Sequence, residues 1–117
     1  MGGGPTRQMR IVDWDVDEVN IEELAAHGVT IEIVDDVAQN RPRFRRNKKR
    51  RRATRQMIGP DGGGKLWVIC LLETGPSIWR PITGWAANEH EIDWWRRSQL
   101  QPENIAPSVK RGRSPLG

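Results

Sequence analysis

The sequence predicts a small α+β fold in which helices pack on a small antiparallel sheet, in the order β-α-α-β-β-β-α. Two observations predict it: apolar residues recur at helical spacing in the first third of the chain, and three apolar stretches follow between glycine- and proline-rich turns. A length of 117 residues suits one domain. We place that domain at residues 10–100, after a disordered leader over 1–9 and before a flexible tail over 101–117.

The first half of the domain predicts one strand and two helices. Arg10–Trp14 is a predicted strand because β-branched residues occupy its centre. Asp15 is followed three positions later by Glu18, the capping-box spacing of a helix start, and an apolar stripe then runs to Gly28, the predicted stop. Thr30 can cap a second short helix, although the β-branched residues after it leave a strand as the alternative.

The second half predicts an antiparallel meander of three strands and a last helix. The predicted strands are Arg52–Ile58, Lys65–Glu73 and Ile78–Trp85. Pro81 cannot donate a hydrogen bond to a neighbouring strand, which predicts an edge position or a bulge there. Asn88 and Glu91 have the spacing of a capping box, so the last helix is expected to begin there and to cover the sheet.

Positive charge is concentrated in the middle of the chain, whose net charge is +4. Residues 1–40 contain two arginines and nine acidic residues, whereas residues 41–58 contain ten basic residues and no acidic one. This basic block predicts a polyanionic partner, and nucleic acid is the first to consider. An acidic protein or an anionic membrane surface is the alternative that the same charge leaves open.

Composition and motifs exclude several other classes of protein. Cys70 is the only cysteine, so the chain cannot form a disulfide framework or an all-cysteine zinc site. Leu66–Leu72, the longest apolar stretch, is far shorter than the ~20 residues that span a bilayer. The sequence contains no phosphate-binding loop and no paired-histidine metal motif. We therefore expect a cytoplasmic protein that is not held in a membrane and needs no cofactor.

The basic block and its neighbours suit single-stranded RNA. Cationic side chains neutralise phosphates, and aromatic faces stack on unpaired bases. The candidate RNA-binding residues are Arg43, Phe44, Arg46, Arg50, Arg52, Arg55, Trp79 and Trp85. Core packing is the alternative role for the tryptophans, and a solvated loop is the alternative for the arginines.

Four segments between residues 10 and 97 carry a family resemblance. They are Val12–Asp15, Ala25–Val29, Ile58–Val68 and Trp79–Ala87. Their order and spacing resemble the BrnT family of bacterial type II toxins, which are small ribonucleases with a RelE-like fold. The resemblance implies RNA as substrate, arrest of translation in the bacterial cytoplasm and inhibition by a BrnA-type antitoxin. A homodimer is a further candidate assembly.

The resemblance also suggests catalytic residues for metal-independent cleavage through the 2′-hydroxyl of RNA. Such cleavage needs a base, an acid and a cation that stabilises the phosphorane. Arg80 and Lys65 match basic positions of the family and are the candidate cations. His27 is the candidate base, with helix capping as its alternative role, and Glu91 matches a family glutamate to which we assign a capping role.

One departure from the family pattern supports a different function. The family usually has Ser-Ala-Arg where this chain has Thr83, Gly84 and Trp85. An arginine that could contact phosphate is therefore replaced by an indole. A non-catalytic protein that binds RNA or a protein partner, on the same fold, is the alternative.

Overall fold

The computed structural model describes residues 10–47 and 53–100. A mixed sheet of five strands has two helices packed on one face and a third helix on the other. The helices are α1 (Glu18–Ala26), α2 (Ile31–Gln39) and α3 (Glu89–Ser98). The strands are β1 (Asp13–Trp14), β2 (Arg43–Arg46), β3 (Arg55–Pro60), β4 (Leu66–Gly75) and β5 (Ile78–Ala86). Their spatial order is β1-β5-β4-β3-β2. The predicted leader and tail lie outside the described residues.

Two features of the sheet correct the sequence prediction, whereas the α+β class is confirmed. β2 is an additional strand within the basic block, and it pairs antiparallel with β3 at the sheet edge, where charged residues are tolerated. β1 pairs parallel with β5, Trp14 opposite Trp79, so the sheet is mixed rather than purely antiparallel. The predicted irregularity at Pro81 is confirmed, because the register between β4 and β5 shifts between Cys70 and Leu71.

Side-chain caps determine where the three helices begin. Asp17 and Thr30 each accept a backbone N–H of the first turn of α1 and α2. In α3 the predicted capping box forms, because Glu91 N–H donates to Asn88 Oδ1 at 2.9 Å and Asn88 N–H donates to Glu91 Oε1 at 2.7 Å. The cap of α1 is Asp17 and not Asp15, so this helix begins two residues later than the spacing predicts.

The main core lies between the sheet and the pair α1 and α2. Its buried members are Leu24, Val29, Val34, Val37, Met57, Trp67, Ile69, Leu71 and Trp79. Phe44 of β2 packs against this core, whereas the next residue, Arg45, lies against Trp94 of α3. Because successive strand side chains point to opposite faces, α3 lies on the other side of the sheet. No helix of the described ranges is long and apolar enough to cross a membrane.

Asp61 organises the turn between β3 and β4. Its carboxylate accepts hydrogen bonds from the backbone N–H of Gly63 at 2.9 Å, the backbone N–H of Lys65 at 3.0 Å and the indole N–H of Trp67 at 2.9 Å. The Trp67 hydrogen bond, with those from the backbone, lowers the pKa of Asp61 below its ordinary value of 3.8. The turn is therefore stabilised by the ionised form of this residue.

We expect Asp61→Asn to lower the melting temperature at neutral pH and to flatten its acid dependence. A carboxylate whose pKa is depressed by folding stabilises the fold above its unfolded pKa, and that stability is lost as pH falls through the folded pKa. Circular-dichroism melts between about pH 5 and pH 2 measure this loss. Asp93→Asn, on the exposed face of α3, is the control. Equal pH dependence in wild type and Asp61→Asn would contradict the assignment.

Candidate nucleic-acid interface

A groove of 420 Å³ opens between α3 and the β2 side of the sheet. Its lining residues are Arg45, Arg46, Asn47, Gln56, Trp85, Glu91 and Trp94. The end of β2 and β3 contribute the arginines and the amides, whereas β5 and α3 contribute the indoles and the carboxylate. One concave surface thus combines two cations, two aromatic rings and one acid.

A chain of hydrogen bonds fixes the wall that β2 and β3 form. Arg45 Nε donates to Gln56 Oε1 at 2.8 Å, and Gln56 Nε2 donates to Asn47 Oδ1 at 3.3 Å. Asn47 Nδ2 donates to the carbonyl oxygen of Ala53 at 3.2 Å. A guanidinium only donates and a carbonyl only accepts, so the two ends fix the orientation of both amides. Gln56 and Asn47 are each 6% exposed, which makes this wall preorganised.

The two arginines of the groove differ in their surroundings. The Arg45 guanidinium lies 5.0 Å from the centroid of the Trp94 ring, in cation–π contact. Arg46 is exposed. Within residues 10–47 and 53–100, neither Arg45 nor Arg46 has a carboxylate oxygen within 4.0 Å, unlike Arg80. Neither groove arginine is therefore neutralised by a close carboxylate, and both can bind an anion.

Glu91 faces the groove from the first turn of α3. Its two carboxylate oxygens accept the indole N–H of Trp85 at 3.2 and 3.1 Å, and Oε1 also accepts the backbone N–H of Asn88. These bonds hold the carboxylate in place, and Oε2 keeps a lone pair for another donor. A positioned carboxylate beside arginines can accept a proton from a hydroxyl group while the arginines hold a phosphate.

Arg80, a predicted catalytic residue, links β5 to the N-terminus of α1 through hydrogen bonds and ion pairs. Its Nη2 donates to Asp17 Oδ2 at 3.2 Å, and its Nη1 donates to the Asp15 carbonyl at 3.2 Å and lies 3.6 Å from the Asp15 carboxylate. The backbone N–H of Asn20 and, to a smaller extent, Arg80 lower the pKa of Asp17. Two carboxylates thus neutralise the guanidinium, which does not line the groove.

Lys65 and His27, the other predicted catalytic residues, lie elsewhere. Lys65 places Nζ 4.7 Å from the centroid of the Trp67 ring. Arg80 pairs with Leu72, and the seven positions from 65 to 72 span about 23 Å of strand. His27 is the exposed C-cap of α1, about 15 Å along the helix axis from its N-cap. The fold therefore does not assemble these three residues into one site.

The predicted RNA-binding residues fall into three groups. The first group lies on the strands outside the core: Arg46 and Trp85 line the groove, whereas Arg43 of β2 and Arg55 of β3 do not line it. Those outside the described residues are Arg50 and Arg52. Those on the core side of the sheet are Phe44 and Trp79.

Trp79 requires a correction. Its ring is only 5% exposed, and its Nε1 donates to the Arg10 carbonyl at 3.0 Å. A ring buried in this way has no face for a base, so the prediction that Trp79 stacks on RNA is wrong. Phe44 is half-buried against the same core and points away from the groove, so it does not belong to the interface that the groove forms.

Sequence reasoning missed four groove residues: Arg45, Asn47, Gln56 and Trp94. The alternation of a strand would place Arg45 and Asn47 on one face, but the basic block carries no other strand signal. The spacing of Glu91 and Trp94, three residues apart on a helix, was the available signal for the other wall.

Comparison with known proteins adds no assignment to these residues. No protein-family model matches the chain, and no curated protein matches it. The resemblance to the BrnT family thus rests on the four segments that carry it.

Proposed function

We propose that this chain is a metal-independent endoribonuclease of the BrnT toxin type, with a RelE-like fold, and that single-stranded RNA lies in the groove. One observation supports the proposal above all others: the groove combines the fixed carboxylate of Glu91 with two arginines and two indoles. Cations and aromatic faces are what unpaired RNA requires for binding. A base and a cation are what cleavage through the 2′-hydroxyl requires.

In the proposed reaction Glu91 acts as the general base. Its carboxylate accepts the proton of the RNA 2′-hydroxyl, the 2′-oxygen bonds to the adjacent phosphorus, and the bond from phosphorus to the 5′-oxygen breaks. The leaving 5′-oxygen takes a proton from water. The products are a 2′,3′-cyclic phosphate and a 5′-hydroxyl. Arg45 and Arg46 donate hydrogen bonds to the phosphate oxygens, where negative charge develops.

The remaining groove residues bind and orient the strand. Trp85 and Trp94 offer ring faces to bases that are not paired, and such stacking tolerates different sequences. Trp85 has a second role, because its indole N–H orients the Glu91 carboxylate. Cleavage of cellular RNA would arrest translation, and a BrnA-type antitoxin is the proposed inhibitor.

To test this function, the purified chain, free of any antitoxin, is incubated with end-labelled single-stranded RNA in excess EDTA. We expect fragments that end in 2′,3′-cyclic phosphate. A duplex of the same sequence is the matched substrate and should be cut more slowly, because its bases are already paired and stacked. RNA that is bound but stays intact would contradict the enzyme and support the non-catalytic alternative. RNA that does not bind would contradict the enzyme and leave the alternative only in its form that binds a protein partner.

The non-catalytic alternative is favoured by one observation, the indole of Trp85 at the position where the BrnT pattern has arginine. Under our proposal Trp85→Arg removes a stacking face and weakens RNA binding by about 1–3 kcal/mol, with slower cleavage. Under the alternative the same variant gains cleavage that the wild type lacks. Trp85→Phe is the control, because it keeps a ring but removes the hydrogen bond to Glu91. A cleavage assay on the three proteins separates these outcomes.

A further inference from the structure

The two amide side chains in the wall of the groove have their oxygens engaged by other residues of the protein. Gln56 Oε1 accepts a hydrogen bond from Arg45 Nε at 2.8 Å, and Asn47 Oδ1 accepts one from Gln56 Nε2 at 3.3 Å. Asn47 Nδ2 donates to the carbonyl oxygen of Ala53 at 3.2 Å. Each amide oxygen therefore already has a donor.

The amide nitrogens keep unused donors. An NH₂ group can donate two hydrogen bonds. Within residues 10–47 and 53–100, the NH₂ groups of Gln56 and Asn47 each donate one. The second N–H of each has no acceptor in this part of the protein, although both residues are only 6% exposed. A buried N–H without an acceptor is costly, whereas a carbonyl oxygen with one donor is satisfied. The wall therefore favours an occupant that supplies acceptors.

The strand register places both amides on the groove side of the sheet. Gln56 lies opposite Arg45 in the pairing of β2 with β3, and Arg45 contacts Trp94 of α3. Asn47 comes two residues after Arg45, so strand alternation places it on the same face. Both amides line the groove together with Trp94 and Trp85. Their unused N–H groups thus lie at the surface where the proposed RNA bases stack.

We propose that Gln56 and Asn47 make the groove selective for a base that has two neighbouring acceptors on one edge. Guanine has such a pair in N7 and O6, and cytosine has one in N3 and O2. Adenine places its amino group beside N7, and uracil has an N–H between its two oxygens, so neither base offers the pair. The selectivity rests on the proposed function, because it requires RNA in the groove.

The engaged oxygens distinguish this wall from an unrestrained amide. A free asparagine or glutamine side chain recognises adenine, because its oxygen accepts from the amino group while its nitrogen donates to N7. Here Arg45 and Gln56 occupy the two oxygens, and N–H groups are left for the base. The indoles of Trp85 and Trp94 stack on any base. The amides are therefore the part of the groove that discriminates among bases.

Four short 2′-O-methyl RNAs test this selectivity on the wild-type chain. They cannot be cleaved, because the 2′-oxygen is blocked, and they are oligouridylates that differ only in a central G, C, A or U. We expect the G or the C strand to bind about 5- to 150-fold more tightly than the A and U strands, the discrimination that one good pair of hydrogen bonds provides.

Three results would overturn the proposal. Equal affinity for all four strands, or tightest binding of the A or U strand, would overturn the selectivity while RNA binding itself stands. No binding of any strand would overturn the proposed function as well.

Base analogues identify the acceptors. If guanine is preferred, 7-deazaguanine, which has C–H in place of N7, should bind as weakly as adenine. Hypoxanthine keeps N7 and O6 but lacks the 2-amino group, and it should bind like guanine. If cytosine is preferred, 2-pyrimidinone keeps N3 and O2 without the amino group and should bind like cytosine. Affinity that follows the amino group instead would contradict the proposal.

A matched pair of substitutions tests the role of Gln56. Gln56→Glu replaces the NH₂ group by an acceptor oxygen, so we expect the ratio of affinities for the preferred strand and the A strand to fall toward one. Gln39→Glu makes the same charge change at an exposed position of α2, outside the groove, and should keep the wild-type ratio. Circular dichroism verifies that both variants are folded. An unchanged ratio in Gln56→Glu would contradict the assignment.

Discussion

Under the proposed function, we expect Glu91→Gln to lower RNA cleavage strongly and to leave RNA binding nearly intact. A general base contributes about 10²–10⁴-fold to a rate, and a glutamine amide cannot accept the 2′-hydroxyl proton at neutral pH. Glutamine is also accepted at this position of a capping box, so the N-terminus of α3 is expected to keep its structure. Single-turnover cleavage of end-labelled RNA in EDTA measures the effect.

A neighbouring residue provides the control for this variant. Glu89 is an exposed acid in the same first turn of α3 and does not line the groove. Glu89→Gln changes the charge of the helix N-terminus by the same amount and should cleave RNA at the wild-type rate. Full cleavage by Glu91→Gln would contradict the assignment of Glu91 as the base.

Replacing Gly84 by alanine will destabilise the fold by about 1–3 kcal/mol through overpacking. A Cβ at this position would lie 2.8 Å from the carbonyl oxygen of Val68, 3.1 Å from Cδ1 of Ile69 and 3.2 Å from Cγ2 of Val29. The first of these atoms belongs to the backbone of β4, so it cannot move aside without distorting the sheet. Thermal or urea unfolding measures the loss.

Gly63→Ala is the matched control for Gly84→Ala. The nearest atom to a Cβ at position 63 is Asp61 Oδ1 at 3.5 Å, an ordinary van der Waals contact. We expect the free energy of unfolding of Gly63→Ala to stay near that of the wild type. Equal unfolding midpoints for Gly84→Ala and wild type would show that β4 and β5 can move apart.

Local signals predicted most of the helices and strands. Thr30 and the pair Asn88 and Glu91 mark helix starts by their own hydrogen bonds to nearby backbone, which depend on few distant contacts. The turns at 61–64 and 76–77 likewise follow from glycine, proline and the short polar residues beside them. These elements could be predicted because their cause lies within a few residues of each of them.

The features of the sheet that the sequence did not predict depend on contacts between residues distant in sequence. β2 is a run of arginines and one phenylalanine with weak strand propensity, and its pairing with β3 makes it a strand. β1 joins the sheet through Ile78 and Trp79 of β5, more than sixty positions away in the sequence. The same pairing buries Trp79, which no local pattern could show.

The candidate site likewise contains residues that local sequence patterns predicted and residues that only the three-dimensional fold brings together. The sequence predicted an RNA-binding role for Arg46 and Trp85 and a capping role for Glu91, and the structure places all three at one groove. It did not show that Arg80 would be neutralised by Asp15 and Asp17, because that ion pair forms between β5 and the connection from β1 to α1. Residue types indicated the chemistry, whereas the strand order determined which residues meet.

The indole N–H resonances of the six tryptophans provide the most direct test of the groove as the RNA site. The experiment titrates the ¹⁵N-labelled chain with an uncleavable 2′-O-methyl RNA and follows these signals by NMR. Trp85 and Trp94 line the groove, whereas Trp67 and Trp79 are buried in the core on the other side of the sheet. We expect the signals of Trp85 and Trp94 to shift on binding and those of Trp67 and Trp79 to stay in place. Binding that leaves Trp85 and Trp94 unshifted would contradict the account.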